Sequence, residues 1–341
     1  MKLLVTVLID TYNQERYIEQ ALVSVLEQDL PPRDIEIVVV DDGSTDRTPE
    51  IIQKFAPRVR LLRKKNGGQA SAFNAGFSES HGQFVAFLDG DDWFATGKLA
   101  AVVKVLQEHP EVGAVGHGYY EVNEATNEVR ICAAHEPRFL HLATPDASRR
   151  AYLDWRFFLT SNLTVRRRIL HRVIPIPETL TFNADAPIAM ASMAVGLQVI
   201  EKPLAYYRRH ADNRWAVDSK DMVRVRRRDE MNERMFDVLE PLLIRLGVPS
   251  ESIVSLLYPP WIDTSRSNLR TYGGSRVNVL RTEMRSFRSE FKNPSIRYRL
   301  FKYIVVGAMT LLLPPRGFYR MREWYGQRNL RRFRERLFKS T

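Results

Sequence analysis

Strand-like and helix-like patterns alternate along the first 116 residues of this 341-residue chain. Residues 3–9, 35–40, 84–88 and 112–115 are short apolar runs, rich in branched side chains, which predict strands covered on both faces. Between these runs, apolar residues recur at helical spacing after Asn13 and after Pro49, where a helix can begin. Strands that alternate with helices indicate an α/β fold with a mainly parallel, doubly wound sheet flanked by helices.

The pattern becomes less regular after residue 116. A strand is predicted at residues 163–165 and a helix at residues 186–195, and beyond about residue 215 the pattern is helical. We therefore expect a first domain of residues 1–215 and a helical C-terminal region of residues 216–341. The most apolar stretch, residues 303–313, is shorter than the ~20 residues that span a bilayer. It predicts a buried helix or one that lies on a membrane surface.

Charge divides the chain at nearly the same place. Residues 1–210 contain 24 Lys and Arg against 26 Asp and Glu, whereas residues 211–341 contain 27 against 14. The basic part indicates either an anionic partner or a solvated surface. The single cysteine, Cys132, excludes an intramolecular disulfide and fits a reducing compartment. The N-terminus shows no signal-peptide pattern, so we expect a cytoplasmic protein.

Polar clusters follow three of the predicted strands. They are Thr11-Tyr12-Asn13, Asp41-Asp42-Gly43-Ser44 and Asp89-Gly90-Asp91-Asp92. In sheets of this class, ligands bind at the carboxyl ends of the strands, near a topological switch point. We therefore expect the three clusters to converge on one rim of the sheet.

The third cluster, residues 89–92, places three carboxylates directly after an apolar strand. Without partners they would repel one another and raise each other's pKa, and a divalent cation removes that conflict. Hard oxygen ligands suit Mg²⁺ or Mn²⁺, and Mg²⁺ is commonly held by one or two carboxylates together with substrate phosphates. An acidic turn that caps the following helix is the alternative interpretation.

Two further segments have less specific patterns. A carboxylate of Asp41 or Asp42 could accept a hydrogen bond from a ribose or a base, although turn and capping chemistry also explains that segment. Residues 66–76 form a glycine-led loop running into a helix of small residues, whose N-terminus favours phosphate. This segment matches neither the dinucleotide fingerprint nor the P-loop, and a simple packing helix is the alternative.

Together these segments resemble the family 2 glycosyltransferases, which have the GT-A fold. The resemblance covers roughly residues 4–215 and implies a catalytic domain there. Residues 7–13 are similar to the family's opening strand and nucleotide-contacting turn, and residues 38–44 to its second nucleotide-contacting element. Residues 66–76 resemble its Asn-x-Gly segment, and residues 87–92 resemble its metal-binding DxD motif.

The resemblance implies which residues bind a nucleotide-sugar donor, with a UDP-sugar favoured. Thr11, Tyr12 and Asp41 would contact the nucleoside. The expected donor-binding set is Thr11, Tyr12, Asn13, Asp41, Asp42, Asn66, Gly68, Gln69, Asn74, Asp89, Gly90, Arg208 and His210. Mn²⁺ or Mg²⁺ is expected at Asp91, Asp89 and His210, with Asp91 the first choice as direct ligand.

An inverting family requires one carboxylate that deprotonates the acceptor hydroxyl. The family's base usually lies in a Glu-Asp pair before a helix, followed later by a Tyr-Arg-x-His element, which residues 207–210 resemble. Asp185 is therefore the expected base, and Arg208 and His210 could serve the diphosphate or the metal. Ala184 stands where the first acidic residue of the pair should be, and a helix-capping role is the alternative for Asp185.

The resemblance implies transfer of single sugars to a hydroxyl acceptor, either a glycan or a lipid-linked saccharide. Processive members of the family carry a QxxRW motif and several membrane-spanning helices. Arg214 and Trp215 are similar to the end of that motif, but Ala211 stands where the Gln should be. A non-processive enzyme is therefore expected.

Residues 316–341 hold nine Lys and Arg against two Glu, interleaved with aromatic and aliphatic side chains. This pattern predicts an amphipathic helix, so residues 300–341 could contact an anionic membrane surface and make the protein peripheral at the inner face of the membrane. A helix packed on the catalytic domain with a solvated basic face is the alternative. Nucleic-acid binding is not expected, because no recognised nucleic-acid module accompanies the charge.

Two other functions are compatible with parts of the pattern. A catalytically inactive nucleotide-sugar-binding or glycan-binding protein of the same fold would explain Ala184, whereas the intact acidic run favours catalysis. A sugar nucleotidyltransferase shares the doubly wound sheet and the use of a metal. That class predicts a basic, glycine-rich loop after the first strand, where this chain has Thr11-Tyr12-Asn13.

Overall fold

The structure is a computed structural model that describes residues 3–154, 157–211, 213, 222–290, 304–305, 307–310 and 312–328. Residues 1–253 form one compact unit and residues 254–341 form a second. Arg214 and Trp215, which are similar to part of the QxxRW motif, lie outside the described residues. So do residues 291–303, 306, 311 and 329–341, which include part of the predicted membrane-contacting segment.

The described part of the first unit contains one sheet of ten strands. The strands are β1 (Val5–Thr11), β2 (Ile35–Asp41), β3 (Arg60–Arg63), β4 (Phe84–Asp89), β5 (Trp93–Phe94), β6 (Ala114–Asn123), β7 (Val129–Cys132), β8 (Arg138–Leu140), β9 (Leu163–Arg166) and β10 (Leu197–Arg209). Their order is β3-β2-β1-β4-β9-β6-β10-β5, with β7 beside β6 and β8 beside β10.

The first four strands of this order, β3, β2, β1 and β4, are parallel to one another. Strands β6 and β10 are also parallel, while β9 runs antiparallel to both β4 and β6. Strand β5 pairs antiparallel with β10. The α/β class and the mainly parallel sheet predicted from the sequence are confirmed.

Helices flank the sheet. The helices described in the first unit are α1 (Ile18–Leu26), α2 (Thr48–Gln53), α3 (Gln69–Ser78), α4 (Lys98–Glu108), α5 (Pro145–Leu153), α6 (Arg167–Leu170), α7 (Asp185–Val195) and α8 (Met222–Arg245). The unit runs past residue 215, the boundary expected from the sequence, because α8 packs against α7.

Strand β1 carries apolar side chains on both faces because both of its faces are covered. Val7 and Ile9 pack into the core that α1 and α4 complete on one face. On the other face, α3 approaches so closely that a Cβ at Gly76 would lie 2.1 Å from Leu8 Cδ1. Gly76 of α3 therefore serves packing, the role that the alternative interpretation gave to this segment.

The described part of the second unit is helical. It contains most of α9 (Ser250–Thr271), together with α10 (Arg276–Glu290) and α11 (Pro315–Arg328). Leu269, Val279, Phe318 and Tyr319 form its apolar cluster. Among the described residues, no helix is both long and apolar enough to cross a membrane.

Candidate functional site

A cleft of about 1020 Å³ opens where β1 and β4 end. Most of the site residues predicted from the sequence line it. They are Thr11, Tyr12, Asn13, Asp42, Gly68, Gln69, Asp89, Gly90, Asp91, Asp185 and His210. The three strand-end clusters thus converge on one rim, as the parallel strands predicted. Asp41, Asn66, Asn74 and Arg208 do not line the cleft.

The register between β1 and β4 brings acidic residues together at this rim. Asp10 of β1 lies opposite Asp89 of β4, and the Gly90 N–H donates to the Asp10 carbonyl oxygen over 2.9 Å. One carboxylate oxygen from each of Asp89, Asp91 and Asp92 lies within 4.8 Å of the others. Asp10, which the sequence analysis did not single out, also lines the cleft.

Both carboxylate oxygens of Asp92 accept hydrogen bonds from other groups of the protein. Its Oδ1 accepts the Arg208 backbone N–H over 2.9 Å, and its Oδ2 accepts the Ser161 hydroxyl over 2.6 Å. The residue is only 2% exposed. Asp89 and Asp91 are therefore the better-placed candidate metal ligands of the run.

His210 joins this acidic group from the end of β10. Its Nε2 lies 2.9 Å from Asp91 Oδ2, and its ring packs against the Tyr17 ring with centroids 4.8 Å apart. The His210 backbone N–H donates to Asn213 Oδ1. Strand β10 reaches this place because Tyr206 pairs with Trp93 of β5, which directly follows the acidic run.

The acidic cluster carries unbalanced negative charge. Burial raises the pKa of the Asp89 carboxyl well above its usual value, and the charges of Asp10, Asp92, Asp91 and Asp185 raise it further. A divalent cation would offset this repulsion, and carboxylate oxygens are the ligands that Mg²⁺ and Mn²⁺ prefer. The residues present therefore fit the expected metal.

Arg208 supports the cluster from outside the cleft. Its guanidinium lies between the Tyr17 and Trp93 rings, 4.7 and 4.6 Å from their centroids. Its Nε donates to the Asp91 carbonyl oxygen over 2.9 Å, and Nη2 donates to Gln20. These contacts fix the backbone of the acidic run, and the guanidinium is not part of the cleft lining.

The second strand-end cluster shapes a loop. The Asp42 carboxylate accepts the backbone N–H groups of Gly67 and Gly68 over 2.9 and 2.7 Å, and it pairs with Lys64 Nζ at 2.7 Å. Gly68 has a φ of +84°, and a Cβ there would lie 2.6 Å from the backbone of Thr181. The loop is thereby pressed against the segment that leads to α7, and Gln69 enters the cleft.

Besides Arg208, three predicted donor contacts lie away from the cleft lining. Asp41 is fully buried, and its carboxylate accepts the Ser44 N–H and the Arg63 Nε–H. Asn74 exchanges two hydrogen bonds of 2.8 Å with the backbone of Ile176. Asn66 is exposed on the loop. Capping and turn chemistry, the alternative for Asp41, describes its contacts.

Asp185 occupies the first turn of α7 and lines the cleft. Burial raises the pKa of its carboxyl from 3.8 to about 6, although hydrogen bonds from Thr160 and from backbone N–H groups lower it. A carboxyl in this range can accept a proton near neutral pH. The neighbouring Ala184 is fully buried, and its N–H donates to Gln69 Oε1 over 3.0 Å.

Thr160, Ser161 and Lys98 also support the site, although the sequence did not indicate them. Thr160 donates to Asp185 Oδ2 over 3.2 Å, Ser161 donates to Asp92, and the buried Lys98 ammonium donates to the Ser161 carbonyl oxygen. A polar pair before a predicted strand resembles any loop, so the pattern offered no signal. The contacts exist only because β9 pairs with β4.

Comparisons with known proteins agree with this arrangement. Residues 6–174 match the family described as Glycosyl transferase family 2. An uncharacterised glycosyltransferase of Nostoc sp. is 36% identical over 215 residues, which are 61% of this chain and 66% of that protein. The uncharacterised glycosyltransferase EpsJ of Bacillus subtilis is 27% identical over 233 residues, 62% of each chain. The chain thus spans 66% and 62% of the length of these two relatives.

A solved structure shares the fold. The crystal structure of Staphylococcus aureus TarS 1–349 in complex with UDP-GlcNAc aligns with a TM-score of 0.55 and 22% identity. The alignment covers 85% of this chain and 89% of that one, which confirms the GT-A fold. By its family match and its relatives, the chain belongs to glycosyl transferase family 2.

Proposed function

We propose that this protein is an inverting, non-processive glycosyltransferase that uses a divalent metal and transfers one sugar at a time. The donor is a nucleotide-diphosphate sugar and the acceptor is a hydroxyl group of a glycan or a lipid-linked saccharide. One observation carries the proposal. The carboxylates of Asp89 and Asp91, together with the His210 imidazole that contacts Asp91, line the same cleft as the Asp185 carboxyl. Family membership supports the reaction class.

The donor would lie along the strand-end rim. Thr11, Tyr12 and Asn13 face the cleft and are the proposed nucleoside contacts. The complex of TarS with UDP-GlcNAc supports a UDP-sugar as the donor. Asp41, Asn74 and Arg208 would act through the backbone that they hold. Asn66, exposed on the loop, is a further candidate donor contact. Asp42 would support Gly68 and Gln69 in the cleft.

Asp89, Asp91 and His210 would hold Mn²⁺ or Mg²⁺ beside the donor diphosphate. A bound divalent cation neutralises the charge that develops on the departing diphosphate. The carboxylate of Asp91 and the imidazole of His210 already contact each other at 2.9 Å, so their side chains are held in place before any ligand binds. Asp92 would keep the run folded through Ser161.

Asp185 would act as the general base. As the acceptor oxygen bonds to the anomeric carbon, the acceptor proton passes to the Asp185 carboxylate. The bond between the anomeric carbon and the diphosphate oxygen breaks, and the nucleoside diphosphate leaves from the opposite side. Tyr119 and Tyr207 also line the cleft and offer aromatic surface to a saccharide acceptor.

A screen of UDP-, GDP- and dTDP-sugars with and without Mn²⁺ tests this proposal. A specific donor should raise the melting temperature only when the metal is present, because ligands stabilise the folded state by mass action. Release of nucleoside diphosphate with added acceptor should follow. The alternative, an inactive binding protein, is supported by Ala184 and predicts the same stabilisation without turnover. No stabilisation by any nucleotide sugar would overturn both.

We also propose that the basic second unit contacts an anionic membrane surface, on the cytoplasmic side that the single cysteine supports. Helix α10 turns polar groups inward: Glu283 is 2% exposed and accepts hydrogen bonds from Arg266 Nε at 3.0 Å and from Arg322. Its outer face carries Val277 and Leu280, which are 70 and 41% exposed.

Exposed arginines accompany this apolar stripe. Arg276 and Arg281 lie on the outer face of α10, and none of the described exposed side chains there is acidic. Apolar and cationic groups on one face suit an anionic lipid interface. Arg281→Glu should reduce co-sedimentation of the full chain with anionic vesicles, while Lys104→Glu on α4 makes the same charge change as a control. Equal binding by both variants would contradict the proposal.

A further inference from the structure

We propose that Thr160 and Ser161 are positioning residues that fix the two acidic groups of the cleft relative to each other. The inference rests on the proposed function, in which Asp89 and Asp91 hold the metal and Asp185 is the base. The two residues are adjacent in the 3-10 turn Thr160–Asn162 and face different carboxylates. One short turn would thereby set the distance across which the reaction occurs.

The turn itself is firmly held. It leads into β9, whose Thr164 lies opposite Ala86 of β4, so the turn lies beside the carboxyl end of β4. The Lys98 ammonium is fully buried, donates to the Ser161 carbonyl oxygen over 2.7 Å and lies 3.4 Å from the centroid of the Phe94 ring. A fully buried side chain held by these contacts resists movement of the turn.

Ser161 contacts both ends of the acidic run. Its hydroxyl oxygen accepts the backbone N–H of Asp89 over 3.2 Å, and its hydroxyl hydrogen is donated to Asp92 Oδ2 over 2.6 Å. A hydroxyl has one hydrogen and can accept as well, so the two contacts are compatible. Ser161 therefore holds the backbone from which Asp89 and Asp91 present their carboxylates.

Thr160 contacts the other acidic group through a directed chain of hydrogen bonds. Gln69 Oε1 accepts the Ala184 N–H, which fixes the orientation of the Gln69 amide. The two hydrogens of Gln69 Nε2 then go to Asp89 Oδ1 at 3.1 Å and to Thr160 Oγ1 at 3.2 Å. Because the Thr160 oxygen accepts from Gln69, its own hydrogen is donated to Asp185 Oδ2.

The backbone of Ala184 is part of this chain of contacts. Ala184 stands where the family pair has its first acid, and its backbone N–H donates to Gln69. The Gln69 amide in turn donates to both Asp89 and Thr160. The proposed base is thus oriented by a neutral amide and a hydroxyl instead of an acidic neighbour. Displacement of a reacting group by about 1 Å can cost roughly 100-fold in rate, so this orientation matters for turnover.

Thr160→Val tests the first half of the inference. The substitution keeps the branched shape and removes the donor to Asp185, so kcat should fall about 10- to 100-fold while the KM for the donor changes little. Thr160→Ser restores the hydroxyl and should recover most of the activity. Thr164→Val is the matched control, because Thr164 is fully buried and its hydroxyl has no hydrogen-bond partner within the described part of the chain. It should leave kcat unchanged.

Ser161→Ala tests the second half. It should weaken Mn²⁺-dependent nucleotide binding, measured by calorimetry, about 10- to 100-fold, whereas Thr160→Val should leave this binding intact. Equal kcat in Thr160→Val and Thr164→Val, or unchanged binding in Ser161→Ala, would overturn the inference. These outcomes differ from failure of the proposed function, in which the unsubstituted protein neither binds nor turns over any nucleotide sugar.

Discussion

Replacing Asp185 with Asn should abolish sugar transfer and stabilise the fold near neutral pH. Burial raises the pKa of the Asp185 carboxyl from 3.8 to about 6 in the folded protein. A group with a raised folded-state pKa contributes stability that is full below its unfolded pKa and is lost as the pH rises through its folded pKa. Above about pH 6 the folded protein therefore holds a buried charge that the unfolded chain would solvate.

The size of the effect follows from the two pKa values. A rise from 3.8 to about 6 corresponds to about 3 kcal/mol, since one pKa unit is worth about 1.4 kcal/mol. The difference in the free energy of unfolding between Asp185→Asn and the unsubstituted protein should increase by about that amount between pH 4 and pH 7.5. For a unit of this size, each 1 kcal/mol shifts the melting temperature by about 2–4 °C.

The assay is urea unfolding across this pH range, with a chelator present to exclude metal. Asp46→Asn provides a control of opposite sign. Burial raises the pKa of Asp46, but hydrogen bonds from Thr48 and Glu15 outweigh burial and lower the pKa below 3.8. That variant should lose stability at neutral pH and regain it in acid. A pH-independent difference for Asp185→Asn would refute the argument, as would a stability loss that grows with pH.

Other measurements separate metal binding, proton transfer and packing. Asp91→Ala should abolish transfer and weaken Mn²⁺-dependent nucleotide binding by more than about 100-fold in calorimetry, because loss of a ligand should exceed the effect of an outer-shell substitution. Unchanged affinity would remove Asp91 as a ligand. The transfer rate should fall about tenfold per pH unit below about pH 6, since Asp185 must be ionised to accept a proton, and a profile flat to pH 5 would contradict that role. Gly76→Ala should destabilise the first unit by about 1–3 kcal/mol in urea unfolding, because its Cβ would lie 2.1 Å from Leu8 Cδ1. Gly317→Ala, whose Cβ would meet atoms no closer than 3.5 Å, is its control, and equal losses would dismiss the packing argument.

The residues at the rim of the cleft could be predicted from two things. These are the polar residues that directly follow apolar strands, and the rule that parallel strands end at the same edge of a sheet. Parallel strands end at the same edge, so the polar residues after β1, β2 and β4 had to converge there. The proposed metal-binding roles of Asp89 and Asp91 rest on the ligand preferences of divalent metals and on the resemblance of residues 87–92 to the DxD motif. Asp10 was missed because it falls within the apolar run of β1 and becomes part of the site only through its register with Asp89.

The supporting contacts could not be predicted, because they depend on pairings between distant segments. Thr160 and Ser161 reach the acidic run only through the antiparallel pairing of β9 with β4. Arg208 was expected to serve the diphosphate or the metal. Side chains alternate along a strand, and Tyr207 and Arg209, on either side of Arg208, line the cleft. The period of two along β10 therefore turns Arg208 away from the cleft.

A parallel measurement of donor binding and turnover in the unsubstituted protein and in Asp185→Asn tests the central claim most directly. Binding of a nucleotide sugar with Mn²⁺ is followed by calorimetry, and turnover by release of nucleoside diphosphate in the presence of an acceptor. The account predicts metal-dependent binding by both proteins and turnover by the unsubstituted protein alone. Full turnover by Asp185→Asn, or metal-independent binding by both, would contradict it.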